Sequence, residues 1–472
     1  MLRNVVSYKE LTETTSPGTL QESVAAVVGS LENALNMEAV VDVNRLPYQR
    51  ADMADLFSLA ARMEKAGILT GLTERFSLAD EPSIVTWHAG YGSERAGGTA
   101  TSSGREALVA ALAECMERKL WSDEVDFFSK TKVATTEEIR QYPHLAPERF
   151  AGYTTQQRED PALQLSPSAK YTWIRGTSLI SNAPTYVPAQ IISKTHGVSV
   201  RETASEPLIR PIITTGLATG VSRTNALLGG TLEVIERDAF MIMWFNQLSL
   251  PRIPLSDLTS PTLSKLLQEC ARYRLTVTFV NVVTDAPTYV IGAVVSDEAK
   301  MPPIAFGLSA HATAARAAEK ALLEALRART NTRNRLKTQS QLAHKQSSDL
   351  FHWERTLFWA VEDRYTHLAF LTAGPEKALS TPAWSDDTPS EYLQRIVTWC
   401  ASKGYEIVTV DMSHSKKNIT SWHIHFVIIP ELQPLHQNEK LPCIGGTRLS
   451  TIPTEFGYVA RPPFTDMPHP FA

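Results

Sequence analysis

An α+β fold assembled from repeated helix-and-sheet units is predicted by three features of the sequence. Helical periodicity is strong at residues 102–121, 224–245 and 313–329. Short strand-like runs lie between and after these helices without regular alternation, unlike a parallel barrel. The three helices also superimpose on one residue frame, which points to one structural unit used more than once.

Along the chain, residues 1–66 are expected to form an N-terminal extension. A short amphipathic helix there carries Leu56, Phe57, Leu59, Ala60 and Met63, a pattern that fits packing or a dimer contact. Residues 67–472 form the main domain, with strands predicted at 171–174, 275–283, 289–295, 366–371, 407–411 and 422–429. The polar stretches 129–170, 338–349 and 372–391 read as surface connections.

Composition narrows the function. The 472 residues include 46 Lys and Arg against 50 Asp and Glu, a net charge of −4, which argues against nucleic-acid or membrane-surface binding through bulk basicity. The four cysteines are dispersed without a C-x-x-C pair, so a disulfide scaffold and a zinc module are both unexpected. The most apolar stretch, 226–250, is broken by Glu233, Glu236, Arg237 and Asp238 and is too charged to span a membrane. A cytoplasmic, soluble protein is expected. P-loop, G-x-G-x-x-G, G-x-S-x-G and H-E-x-x-H signatures are absent.

The chemistry lies in the repeated helices. Ala107, Glu114, Glu117 and Arg118 of the first fall on Ala226, Glu233, Glu236 and Arg237 of the second. The third continues the frame with Ala317 and Glu324, but puts Arg327 at the second carboxylate position. Residues three apart share a helix face, so each E-x-x-E presents two carboxylates side by side. The second helix is apolar all round and therefore expected to be buried, where like charges are costly unless cations or protons compensate. Five carboxylates converging on Mg2+ and nucleotide phosphates would compensate, with Arg118 and Arg237 supplying fixed positive charge. An exposed helix face with local salt bridges is the plainer alternative, and two copies in register count against it. His414, His423, His425 and His436 have no metal-ligand spacing and are set aside as a transition-metal site.

These segments, ALVAALAECMER, TTGLATGVSRTNALLGGTLEVIERDAF and AAEKALLEALRAR, resemble in that order the YcaO family of ATP-dependent enzymes that activate peptide amides. WIRGTSL, VPAQII, FVIIPELQPLH, GGTRLSTIP and the proline-spaced end RPPFTDMPHPFA add to the resemblance, which runs from about residue 67 to the C-terminus. It implies a YcaO-type domain around an ATP site, with Glu114, Glu117, Glu233, Glu236 and Glu324 holding Mg2+ and Arg237 contacting phosphate. By the same resemblance Lys320 stands where the family commonly has a phosphate-binding Arg, and Thr215 matches a small polar residue near the nucleotide. Thr99-Ala100-Thr101 departs from the Gly-Lys-Gly often found before the first helix. The tail Pro468-His469-Pro470-Phe471-Ala472 resembles members that form thiazoline and oxazoline rings, with Ala472 where a final Pro is usual. A tail of that kind is implied to reach the active site, making His469, Pro470 and Ala472 candidate catalytic residues.

The implied function is an ATP-dependent cyclodehydratase acting on Cys, Ser or Thr of a ribosomally synthesised precursor peptide. The implied partners are that peptide and a ubiquitin-activating-enzyme-like protein that binds its leader. A flavin-dependent azoline dehydrogenase and a homodimer within a hetero-oligomer complete the expectation. The alternatives are a family member using an external nucleophile, such as sulfide for thioamide formation, and a non-catalytic scaffold subunit.

Overall fold

The computed structural model describes residues 52–100, 103–122, 131–203, 205–299, 301–347, 350–351, 354–380, 384, 387–413, 419–436 and 438–470. The chain begins there with α1 (Met53–Lys65), opened by a reciprocal cap between Asp52 and Asp55. Leu56, Leu59, Ala60 and Met63 of α1 are buried in the same core as Trp87 and Leu108, so this helix packs inward. A first antiparallel sheet follows, β1 (Gly71–Phe76), β2 (Val85–Tyr91) and β3 (Glu94–Ala100), covered by α2 (Gly104–Ser122).

The central six-stranded sheet gathers distant segments. Its order is β4 (Thr131–Thr135), β5 (Lys170–Ser178), β11 (Val408–Asp411), β12 (His423–Ile428) and β7 (Leu217–Gly220), with β6 (Pro184–Pro188) also paired to β5. Helix α3 (Lys194–Thr203) precedes β7, and α4 (Arg223–Asn246) packs on β7 and β12. The third sheet has β8 (Leu275–Val282), β9 (Tyr289–Asp297) and β10 (Ile304–His311), with α5 (Pro261–Arg272) leading in and α6 (Ala314–Gln339) lying across it. Helices α7 (Pro389–Ser402) and α8 (Arg448–Glu455) pack on α4.

Helix α4 is the central beam, as its all-round apolar sequence predicts. Ser222 caps its start, and Ala226 through Asn246 are largely buried. One charged residue inside is fully compensated. Asp238, 0 % exposed, accepts from Arg448 Nε and Nη2 at 2.9 and 2.7 Å and from the Gln433 N–H at 2.7 Å. That cluster fastens the GGTRLSTIP segment to α4.

Three expectations need correction. Residues 366–371 form a 3-10 helix rather than a strand, because the buried Leu368 and Leu371 recur at a spacing of three. Residues 129–170 are more than a surface connection, since β4 pairs with β5 and Leu145, Phe150 and Tyr153 are buried. Helix α6 runs to Gln339, ten residues past the apolar pattern. Ion pairs hold its last turns in place of a core: Arg329 meets Asp297 at 2.8 Å and Arg333 meets Asp80 at 2.7 Å.

Candidate active site

Three strand–helix units build the site: β3 with α2, β7 with α4, and β10 with α6. In each, the first carboxylate of the repeat accepts a backbone N–H from the strand segment that precedes its own helix. Glu114 accepts from Gly97 at 3.0 Å, Glu233 from Gly216 at 3.0 Å, and Glu324 from Leu308 at 2.9 Å. The sequence separations are 17, 17 and 16 residues, so the repeat extends beyond the helices to the strands. Close helix–strand contact makes this reach possible. A Cβ on Gly98 would overlap the Ala107 carbonyl, and one on Gly307 would overlap the Ala321 carbonyl.

The second position of each helix reaches the next unit. Glu117 accepts from Thr219 Oγ1 of β7 at 3.3 Å, and Glu236 accepts from the Ala310 N–H of β10 at 2.7 Å. Arg327 of α6 completes the circuit by donating to the Gly97 carbonyl of β3 at 3.4 Å. The three units thus close into a ring with two carboxylate seams and one arginine seam. Beside the third seam lies a cavity of about 240 Å³, lined by His88, Arg95, Gly97, Glu114, Glu324 and Arg327.

Charge in the ring is unevenly balanced. Arg118 lies 3.4 Å from Glu114, and Arg237 lies 3.0 Å from Glu236 and 3.7 Å from Glu233. Arg327 lies 3.7 Å from Glu324. Burial holds the Glu117 carboxyl well above the ordinary range; Arg118 opposes the shift, and the charges of Glu114 and Glu233 add to it. Glu236 is pushed up to about 8 by burial, against the pull of Arg237 and with help from Glu324 and Glu233. His88 is held neutral, down to about 4, by burial and by Arg75, Arg327 and Arg95.

The five predicted carboxylates therefore share one electrostatic neighbourhood, but they do not form a ligand set as they stand. Among the described residues no three His, Cys, Asp or Glu side chains are arranged to hold a metal ion. The donors nevertheless fit Mg2+. They are hard oxygens, partly buried and close enough to repel one another, and a divalent cation would relieve that repulsion. Lys320 is exposed, with its ammonium in electrostatic range of Glu236. Thr215 is buried directly before Gly216.

The proline-spaced tail docks next to this ring. Met467 and Pro468 carbonyls accept from Trp244 Nε1 at 3.1 Å and Trp359 Nε1 at 2.9 Å. Proline lacks an N–H, so such a segment offers its partners acceptors rather than donors. His469 is fully buried and lies edge-on to Phe240, whose ring centroid is 5.5 Å away. Phe240 in turn lies 5.6 Å from Phe306, which lines the cavity and also contacts the small void beside Pro470. Ala472 lies outside the described residues.

Sequence reasoning did not assign His88, Arg95, Thr219 or a bridging role for Arg327. Only Arg327 left a signal, as the exception in the repeat frame. His414 lies outside the described residues. His425 bonds Thr409 at 3.0 Å and His436 bonds Glu439 at 2.9 Å, which are structural roles.

A pseudo-symmetric ring of paired carboxylates and arginines has the donor chemistry that phosphate and a divalent cation would require. The family model described as YcaO cyclodehydratase, ATP- and Mg2+-binding, matches residues 98–433, and the chain belongs to the YcaO family. Solved structures share the fold. A heterocyclase in complex with substrate and cofactor aligns with a TM-score of 0.71 and 18% identity over 88% of this chain and 57% of that one. YcaO from Methanopyrus kandleri bound with AMPPCP and Mg2+ aligns at 0.57 and 17%, over 80% and 91%. The E. coli microcin synthetase McbBCD complex aligns at 0.54 and 14%, over 76% and 87%. The chain thus spans little more than half the length of the first of these. No curated protein sequence matches it.

Proposed function

We propose that this chain is an ATP-dependent cyclodehydratase that converts Cys, Ser or Thr of a ribosomally synthesised precursor peptide into thiazoline or oxazoline rings. The observation that carries the reading is the closed ring of Glu114, Glu117, Glu233, Glu236 and Glu324 beside a cavity, in a chain of this family. In the proposed reaction a substrate thiol or hydroxyl attacks the preceding carbonyl carbon and gives up its proton. The oxyanion so formed takes the γ-phosphoryl group of ATP, and ADP leaves. The nitrogen loses its proton and forms the C=N bond as the former amide oxygen departs in phosphate. Amide oxygen is a poor leaving group, and phosphorylation solves that problem.

Mg2+ held by the five glutamates would neutralise phosphate charge, the main requirement of phosphoryl transfer. Arg118, Arg237 and Lys320 would meet the remaining phosphate oxygens, with Thr215 near the nucleotide. His469, Pro470 and Ala472 would bring the chain end to the reacting peptide, with the Ala472 carboxylate or His469 as base. Residues 67–472 form the catalytic domain in this reading. The microcin synthetase structures are of the McbBCD complex, one of them with pro-MccB17 bound. By analogy this chain would work in the cytoplasm beside a ubiquitin-activating-enzyme-like leader-binding protein, ahead of a flavin-dependent azoline dehydrogenase, as a homodimer in a larger complex. Among the described residues no helix is long and apolar enough to cross a membrane.

The test is the intact mass of a precursor peptide encoded alongside the protein, after incubation with the protein, its partner, ATP and Mg2+. Loss of one water per modified residue is expected. An oxygen-to-sulfur change would assign thioamide formation instead, and an unmodified peptide with no ATP consumption would favour a scaffold.

A further inference from the structure

A buried polar chain under the tail has no part in the repeat. Arg355, 1 % exposed, donates through Nε to Glu439 Oε1 at 2.5 Å and through Nη2 to the His436 carbonyl at 3.1 Å. The other oxygen of Glu439 meets His436 Nε2 at 2.9 Å. The same His436 carbonyl lies 3.0 Å from His469 Nε2. A carbonyl only accepts, so His469 carries its proton on Nε2, and its Nδ1 keeps a lone pair without a hydrogen-bond partner among the described residues. Two rings frame the contact: His436 stacks on Phe245 with centroids 5.3 Å apart and stands edge-on to His469 at 5.2 Å.

The location of this chain sets it apart from ordinary packing. Trp244 and Trp359 already hold the tail backbone at Met467 and Pro468. A buried Arg–Glu pair gains little stability over apolar side chains of the same volume. What it adds here is a single setting for the His436 carbonyl, and therefore for the depth and ring orientation of His469. Through Phe240 and Phe306 that setting reaches the wall of the catalytic cavity.

We propose that Arg355 is a positioning residue for the C-terminal tail, acting through Glu439 and His436 to fix His469 and, with it, Pro470 beside the cavity wall. This rests on the reading that the tail takes part in catalysis. Its test uses the full chain with its partner and five variants: Arg355→Met, Arg355→Lys, Glu439→Gln, a chain ending at Met467, and that shorter chain with Arg355→Met. The first readout needs no activity: carboxypeptidase trimming past Pro470, with the fold checked by circular dichroism. Trimming is expected to accelerate about tenfold in Arg355→Met and Glu439→Gln and less in Arg355→Lys. The second readout is peptide-dependent ATP turnover. There kcat is expected to fall about tenfold or more in Arg355→Met while KM for ATP moves less than about twofold.

In the chain ending at Met467, Arg355→Met should cost nothing further. Unchanged trimming in the folded variants overturns the proposal, as does an Arg355→Met penalty of equal size with and without the tail. If the wild-type chain modifies no peptide at all, the cyclodehydratase reading fails while trimming still decides the clamp. Should Arg355→Met not fold, Glu439→Gln, which keeps the shape of the pair, carries the same comparison.

Discussion

Two seams of the ring end on carboxylates and the third ends on an arginine, and their partners show why. Glu117 and Glu236 accept from a hydroxyl and an N–H of the neighbouring unit, whereas Arg327 donates to a carbonyl. The hydrogen bonds differ in sense although the helices align residue for residue. The arginine seam borders the cavity described above. Repetition therefore supplies the scaffold, and the one departure from it supplies an opening flanked by both signs of charge.

The contrast can be broken first at the carboxylates. Glu236→Gln keeps the contact to Ala310 in shape but removes the charge. Peptide-dependent ADP release is expected to fall by about a hundredfold or more in kcat/KM for ATP, with KM for ATP raised about tenfold. Glu117→Gln should behave alike, since it holds the matching position in the first seam. Steady-state kinetics at saturating peptide decide both.

Arg327→Glu sharpens the comparison by giving the third seam a carboxylate. The new side chain would face the Gly97 carbonyl and the Glu324 carboxylate without a donor, so KM for ATP should rise about tenfold. Arg327→Gln, which can still donate, should raise it only about threefold. Equal effects of the two would mean that charge at this seam is unimportant.

Smaller effects test the strand–helix contact. Gly307→Ala would drive a methyl into the Ala321 carbonyl and should lower unfolding free energy by about 2 kcal/mol, read from urea denaturation. On the central helix, Gly229→Ala meets only an ordinary 3.4 Å contact with the Ala218 methyl of β7. It should be neutral or stabilising by about 0.5 kcal/mol, because alanine is the better helix former.

How much of this was legible in the sequence follows from the same contacts. Helices α2, α4 and α6 stand out because their apolar periodicity is long, and their carboxylates stand out because the frame repeats. Strands β3, β7 and β10 did not stand out. Gly97, Gly98, Ala218, Gly307 and Ala310 lack strand propensity, and Gly98 and Gly307 carry no side chain because a helix passes against them, close enough for a glutamate to reach back. β10 is also buried along most of its length, so it shows no polar alternation. Seam partners such as Thr219 and Ala310 depend on how units meet, which no local pattern encodes. The tail was legible from its proline spacing. Its socket was not, because Trp244 is 223 residues from its acceptor Met467 and Trp359 is 109 from Pro468.

The central claim is that the glutamate ring is a Mg2+–nucleotide site. Isothermal titration of the full chain with AMPPCP, with Mg2+ and again in excess chelator, tests it directly, with Glu236→Gln as the paired variant. Binding is expected to require Mg2+ and to weaken by about tenfold or more in the folded variant. Binding that survives chelation, or is equal in wild type and Glu236→Gln, would contradict the account.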